Sequence, residues 1–237
     1  MSEPNPPSRP GSPTHPPQPL VASLAALTLV SGFLDAVSYL GLGHVFTANM
    51  TGNVVLLGFA IAGAAGFSMT ASLTALGGFL VGAVLAGRIS RKVPHHRSLM
   101  MTVMTMEAAL TVVAALIAAT VSALGTGWPR YTVIALLAIS LGARNAAVRR
   151  LGVPDMSTTV LTTTLTGFAS ESTLAGGTNT NAHLRITSIA SMFVGAIVGA
   201  ALTLHVHPAL ALGLAAVIVA STTAFFAREN PARLGLT

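Results

Sequence analysis

Apolar runs of membrane length follow one another from residue 20 to residue 227, and polar residues fall mostly in the gaps between them. The pattern predicts eight helical segments, at about 20–40, 50–66, 68–87, 98–124, 131–148, 157–176, 186–205 and 209–227. A hydrocarbon core takes roughly 20 residues of helix to cross, so seven or eight crossings are expected. Pro94, Pro129, Pro154, Pro208 and Pro231 fall between runs, where residues that end helices belong. The period-two alternation of an outer-membrane barrel is absent. Lipid requires each backbone group to be satisfied within its own segment, so the spans read as α-helices. The fold class is all-α, a polytopic transmembrane helical bundle.

Two polar interruptions break this pattern about 110 residues apart. The first is Asp35-Ala36, Leu40-Gly41 and Phe46-Thr47-Ala48-Asn49-Met50-Thr51-Gly52-Asn53. The second is Asn145-Ala146, Leu151-Gly152 and Thr158-Thr159-Val160-Leu161-Thr162-Thr163-Thr164. A polar break repeated inside apolar sequence predicts two pseudo-repeats, about 20–124 and 131–227, with a shared polar site at their interface. Residues 1–19, with eight of the thirteen prolines, form a Pro-rich tail expected to be disordered, and 228–237 a short C-terminal tail. The N-terminal tail lacks the basic start of a signal peptide, so uncleaved insertion through the first span is expected.

Composition strengthens the membrane reading. The chain is 52% hydrophobic and 8% charged, with a mean hydropathy of +0.75. A soluble domain carries about 25% charged residues. The net charge of +6 reads as loop residues obeying the positive-inside rule, not as a nucleic-acid surface. Arg88, Arg91, Lys92 and Arg97 form one cluster; Arg144, Arg149 and Arg150 form another. Loops 88–97 and 144–150 are therefore expected in the cytoplasm of a bacterial inner membrane. If the second segment crosses, the repeats are parallel; if it is re-entrant, the N-terminus is inside and the repeats are inverted.

Ionisable residues inside a span mark partners or wet cavities. Asp35, Glu107 and Glu171 are the three acids within apolar runs. Asp35 and Arg144 each lie near a span end, and they are expected to pair across the repeat interface. Glu107, near mid-membrane with no evident cation at its depth, is expected to be neutral and hydrogen-bonded, or part of a proton relay with Asp35. Glu171 can reach the interface unaided. Segment six carries seven hydroxyls between Ser157 and Gly167. Threonine can satisfy itself on the i−4 carbonyl, but hydroxyls on every face point to a polar cavity. Asn49 and Asn53, four residues apart, share a helical face and are expected to line the same cavity. Gly78 with Gly82, and Gly195 with Gly199, have the small-xxx-small spacing of close helix contacts.

With no cysteine in the chain, there is no disulfide or thiolate chemistry. His205 and His207 supply two ligands and make no metal site. No catalytic triad, zinc-protease or phosphate-loop pattern occurs, so neither an enzyme nor a cofactor is expected.

The run Gly32-Phe33-Leu34-Asp35-Ala36, Leu40-Gly41, Phe46, Met50-Thr51-Gly52-Asn53 and Gly58 resembles the YoaK family of bacterial membrane proteins. The second run, Arg144-Asn145-Ala146, Arg149-Arg150-Leu151-Gly152-Val153-Pro154-Asp155, Thr158-Thr159-Val160 and Leu165-Thr166, looks like that family's second signature. The resemblance implies a membrane fold over residues 20–227 and carries no established activity. The family's second motif usually reads Thr-Gly-Thr, whereas this chain has Thr162-Thr163-Thr164, which puts a second broken helix in doubt.

The expected function is a small-solute secondary transporter or permease acting on a small polar or anionic solute. Its site is expected at Asp35, Asn49, Thr51, Asn53, Arg144, Asn145, Thr162 and Thr164. The alternative is a non-transporting scaffold or partner-binding protein whose polar motifs lock helices together. The expected partners are the lipid bilayer and, for a homo-oligomer, further copies of the chain, with no nucleic acid.

Overall fold

The computed structural model describes residues 16–93, 95–121, 127–152, 161–179 and 181–235. The Pro-rich tail before residue 16, and the second signature's Val153-Pro154-Asp155 and Thr158-Thr159-Val160, lie outside the described residues. The helices are α1 (Gln18–Gly41), α2 (Met50–Ile61), α3 (Met69–Lys92), α4 (His96–Thr120), α5 (Gly127–Leu151), α6 (Leu161–Ser170), α7 (Ala182–His205), α8 (Pro208–Arg228) and a last turn, α9 (Pro231–Leu234).

Six of these, α1, α3, α4, α5, α7 and α8, are long and apolar enough to cross a membrane. Among the described residues this gives six crossings where seven or eight were expected. At 1.5 Å per residue, the 12 residues of α2 are about 18 Å long and the 10 described residues of α6 about 15 Å, against a core about 30 Å thick. The apolar count ran on past Ile61 because Ala62, Ala64 and Ala65 are apolar, but Gly63 and Gly66 stand at φ 84 and 87, which turn the chain out of the helix.

Contacts between the helices give their directions. The Gly66 carbonyl meets His44 Nδ1 at 3.0 Å, so α1 ends where α3 begins. Arg97, opening α4, bonds the Ala227 and Glu229 carbonyls at 2.7 and 3.2 Å, so α4 and α8 are antiparallel. Gly195 lies against Leu29 and Gly199 against Phe33, so α1 and α7 run the same way. Gly78 lies against Ala135 and Gly82 against Ile139, so α3 and α5 also run together, opposite to α1.

The two parallel pairs touch at backbone distance. A Cβ on Gly32 would overlap the Met192 carbonyl, and one on Gly195 the Leu29 carbonyl. In the other pair, a Cβ on Gly142 would overlap the Phe79 carbonyl, and one on Gly82 the Ile139 carbonyl. The spacing of Gly82, Gly195 and Gly199 was legible in sequence; Gly32 and Gly142 complete the contacts from the facing helices. α4 packs on α5 and α8, and α8 packs on α1, closing the bundle.

The apolar core falls into two clusters. One gathers Val30, Phe33, Val45, Leu137 and Leu212 toward the end where α1 finishes. The other gathers Leu20, Leu24, Met100, Met104 and Phe226 toward the end where α1 starts.

Overpacking a tight contact costs typically about 1–3 kcal/mol. Gly82→Ala is therefore expected to lower the melting temperature of detergent-purified protein, whereas Gly87→Ala, with open space around the new Cβ, is expected to leave it unchanged. Equal melting curves for the two variants would refute the backbone-contact assignment.

Candidate functional site

The site is built from the break after α1. The chain leaves Gly41, turns back, and is caught by Asp35, six residues and about 9 Å before the helix end. Asp35 Oδ1 accepts the Thr47 and Ala48 N–H groups at 2.8 and 2.7 Å, with the Thr47 hydroxyl at 3.5 Å. A second clamp comes from Asn53. Its Oδ1 accepts the Phe46 N–H at 2.9 Å, and its Nδ2 donates to the Phe46 carbonyl at 2.6 Å. An amide can satisfy a donor and an acceptor at once, so one side chain replaces the ladder this extended stretch lacks. Asn49 then caps α2, its Oδ1 accepting the Gly52 N–H at 3.2 Å. From that buried start α2 rises back to the same side, where Phe59 meets Phe67 at 5.4 Å beside His44. The segment is thus re-entrant.

The second short helix, α6, is described over Leu161–Ser170. Arg185 of α7 holds its far end by bonding the Gly167 carbonyl and, at 2.8 Å, Glu171. Glu171 is therefore in an ion pair rather than reaching the interface alone. The threonine in place of the family's glycine, Thr163, sits within α6 in ordinary helical conformation. The second short helix forms without it.

The starts of α2 and α6 meet at a cavity of about 460 Å³. Asn49, Thr51 and Gly52 line it from the first break; Leu161 and Thr162 line it from the second. Asn145 of α5 opens onto it, and Phe79 of α3 and Met192 of α7 complete the wall. Of the eight sequence-predicted residues, four line this cavity: Asn49, Thr51, Asn145 and Thr162. Asn53 is buried in the Phe46 clamp. Thr164 is buried on α6, and Asp35 faces a neighbouring cavity.

Arg144 is the clearest departure. It was expected to pair with Asp35; it pairs instead with Glu107, Nη1 to Oε1 at 2.7 Å, both side chains fully buried, and its Nη2 donates to the Ser31 hydroxyl. Asp35 and Arg144 are each several residues from a helix end, but from opposite ends of the bundle, because α1 and α5 run in opposite directions. Glu107 does have a cation at its depth. A helical arginine leans toward its own N-terminus, which carries Arg144 inward to α4. Ser31, the partner missed in sequence, stands one turn before Asp35 on the same face of α1. The Ser31–Arg144–Glu107 group lies between the two apolar clusters and separates them. Glu107 Oε2 and Arg144 Nε, also buried, have no hydrogen-bond partner among the described residues. No hydrogen bond joins Glu107 to Asp35 among the described residues.

Six membrane-length helices, with two short helices lining a half-open cavity that carries four polar side chains, define a multi-pass α-helical membrane protein. The chain belongs to the family described as protein of unknown function DUF1275, which it matches over residues 23–225. It is 40% identical over 142 residues to the UPF0700 transmembrane protein YoaK of Bacillus subtilis (strain 168), a stretch that covers 60% of this chain and 62% of that protein. No solved structure is significantly similar to it.

Removing one member of a buried ion pair strands the other, at about 3–5 kcal/mol. Glu107→Leu or Arg144→Met alone is expected to lower the melting temperature sharply, and the double variant to recover most of the loss. A double-mutant cycle pairing Arg144→Met with Asp35→Asn is expected to show the smaller coupling. The reverse order would restore the Asp35–Arg144 pairing.

Proposed function

We propose that the protein is a small-solute secondary transporter or permease of the bacterial plasma membrane, working through two inverted repeats. The observation that carries this reading is that Asn49 and Thr51 at the start of the re-entrant α2 and Thr162 of α6 line one cavity together with Asn145. Helix starts carry partial positive charge and free N–H groups, and transporters place such ends at the midplane between repeats. A cavity of about 460 Å³ falls in the range that holds small ligands. Asn49, Thr51, Asn145 and Thr162 offer neutral donors and acceptors, which together with two positive helix ends suit a small polar or anionic solute.

The packing supports the repeats. Exchanging residues 20–124 with 131–227 turns the α1–α7 contact into the α5–α3 contact. Gly32 and Gly142 are 110 residues apart in sequence, and Gly82 and Gly195 are 113 apart; each pair makes matching contacts. Because α2 returns to its own side, α1 and α5 run in opposite senses, and the repeats are inverted. Arg88, Arg91, Lys92, Arg97, Arg149, Arg150 and Arg228 all gather at the end of the bundle where α1 begins, which the positive-inside rule assigns to the cytoplasm.

The second reading, a scaffold without transport, is supported by Asp35, Asn53 and Arg144, all engaged in holding helices and loops together. Ligand binding separates the two. A thermal-shift screen of inorganic anions, short carboxylates and amino acids is expected to yield a compound that stabilises the wild type. Saturation at a hundred times Kd corresponds to about 2.7 kcal/mol. Thr51→Val with Thr162→Val is expected to abolish that shift while leaving the unliganded melting temperature in place. No stabilising compound, or one indifferent to both substitutions, would favour the scaffold.

Orientation has its own check, made clean by the lack of native cysteine. An impermeant maleimide added to intact cells is expected to label His44→Cys and Ala64→Cys alike, on the two sides of α2, and to spare Arg149→Cys. Labelling of Ala64→Cys without His44→Cys, or of Arg149→Cys, would invalidate the inverted arrangement.

A further inference from the structure

We infer that Asp35 is a proton-binding site and that its proton sets the charge at the start of α2, beside the solute cavity. Proton binding stands on the local geometry; its coupling to flux rests on the transport reading above.

Asp35 is only 6% exposed, and its two oxygens have different surroundings. Oδ1 is taken up by the Thr47 and Ala48 N–H groups and the Thr47 hydroxyl. The Asn49 N–H also faces the carboxylate, but no side-chain donor reaches Oδ2. The residue lines a second cavity, of about 370 Å³, between α1 and α7. Tyr39 and Asn49 are the other polar side chains there; the rest of the wall includes Leu40, Phe46, Met192 and Ala196. A hard metal cation takes about six or more oxygen ligands, far more than these three side chains supply. A proton requires one lone pair. It adds to Oδ2 from hydronium entering by the cavity and leaves a neutral acid and water. Its release to water restores the carboxylate. No other bond is made or broken, and Oδ1 holds Thr47 and Ala48 in both states.

The charged surroundings are sparse. Asp35 acts through space on Arg144 of α5, which is bonded to Glu107 of α4, a pair with no net charge, and to Ser31. On α1 the nearby titratable group is Tyr39, stacked on Phe46 and edge-on to His44. The titratable residues of α7 are His183, Arg185 and His205, near its ends, and α8 has none before Arg228. Asp35 therefore decides the charge felt at the start of α2.

That charge matters because Asn49 and Met192 line both cavities, and Asn49 caps α2. The carboxylate and an anionic solute seek the same positive helix end. With Asp35 ionised, that end is already compensated. With Asp35 protonated, it is free to attract the solute. The arrangement is that of proton–anion symport.

An infrared pH titration of the reconstituted protein tests proton binding directly. The expected result is a carboxylic-acid C=O band that grows as pH falls, persists in Glu107→Gln and is lost in Asp35→Asn. Asparagine keeps an oxygen for Thr47 and Ala48, so that variant is expected to fold; should it not, Asp35→Glu is expected to move the band. A band unchanged by either Asp35 substitution overturns the proposal. A dye-loaded vesicle assay with the stabilising compounds then reads the coupling, which is expected to acidify the lumen in the wild type and not in Asp35→Asn. Acidification that survives in Asp35→Asn overturns the coupling. An Asp35 band without any solute binding leaves the proton site standing and removes the transport reading.

Discussion

The fold depends on two places where helices touch backbone to backbone. Lipid is as apolar as leucine, so apolar side chains alone do not drive helices together in a bilayer. What holds α1 to α7 and α3 to α5 is close approach, and close approach needs glycine on the face that meets a carbonyl. Gly32 and Gly195 serve one pair; Gly82 and Gly142 serve the other. Once both parallel pairs are formed, the short helices have little freedom. Each must leave one pair member, enter the bundle and return, because the next long helix begins on the side where the previous one ended. The two helix starts are thereby delivered to the space between the pairs, where Phe79 and Met192, the residues whose carbonyls face Gly142 and Gly32, line the cavity.

A chain with so few charges places them where breaks in helix would otherwise leave backbone groups bare. An unsatisfied N–H or carbonyl in hydrocarbon costs several kcal/mol, and the turn between α1 and α2 carries several of them. Asp35 and Asn53 meet that need for Thr47, Ala48 and Phe46. Arg185 does the same for the end of α6. Arg144 is different. It caps nothing, sits between two apolar clusters and bonds groups on two other helices. A buried ion pair is a poor source of stability against an apolar alternative; its effect is to fix α1, α4 and α5 in one register.

Much of this was legible in sequence, for reasons that also explain the misses. Run length located the long helices, since a span needs roughly 20 residues, and the spacing of Gly78, Gly82, Gly195 and Gly199 marked real contact faces. The polar breaks identified the start of α2 and four residues of the cavity. Run length failed at Ile61 because an apolar loop looks like helix when read by hydropathy alone. Depth failed for Arg144, because distance from the nearest helix end does not say which face of the membrane that end is on. The same ambiguity left the repeats either parallel or inverted. Asn53 looked like a ligand because its amide is polar and shares a face with Asn49; nothing in the sequence says that Phe46 folds back to meet it.

The two polar breaks differ in the charges they carry. At positions 110 apart in the sequence stand Leu34-Asp35 and Arg144-Asn145. If the polar breaks served only to pack helices, an amide at both positions would suffice, since it too can accept N–H groups from a re-entrant turn. A carboxylate is used once, at a residue that lines a cavity. An arginine is used once, and is neutralised by Glu107 rather than by that carboxylate. The core thus carries one acid whose charge is not cancelled by a bonded partner, placed at the start of one short helix and absent from the other. On the proposed transport reading, this imbalance gives the first short helix a neighbour that can change charge and leaves the second without one.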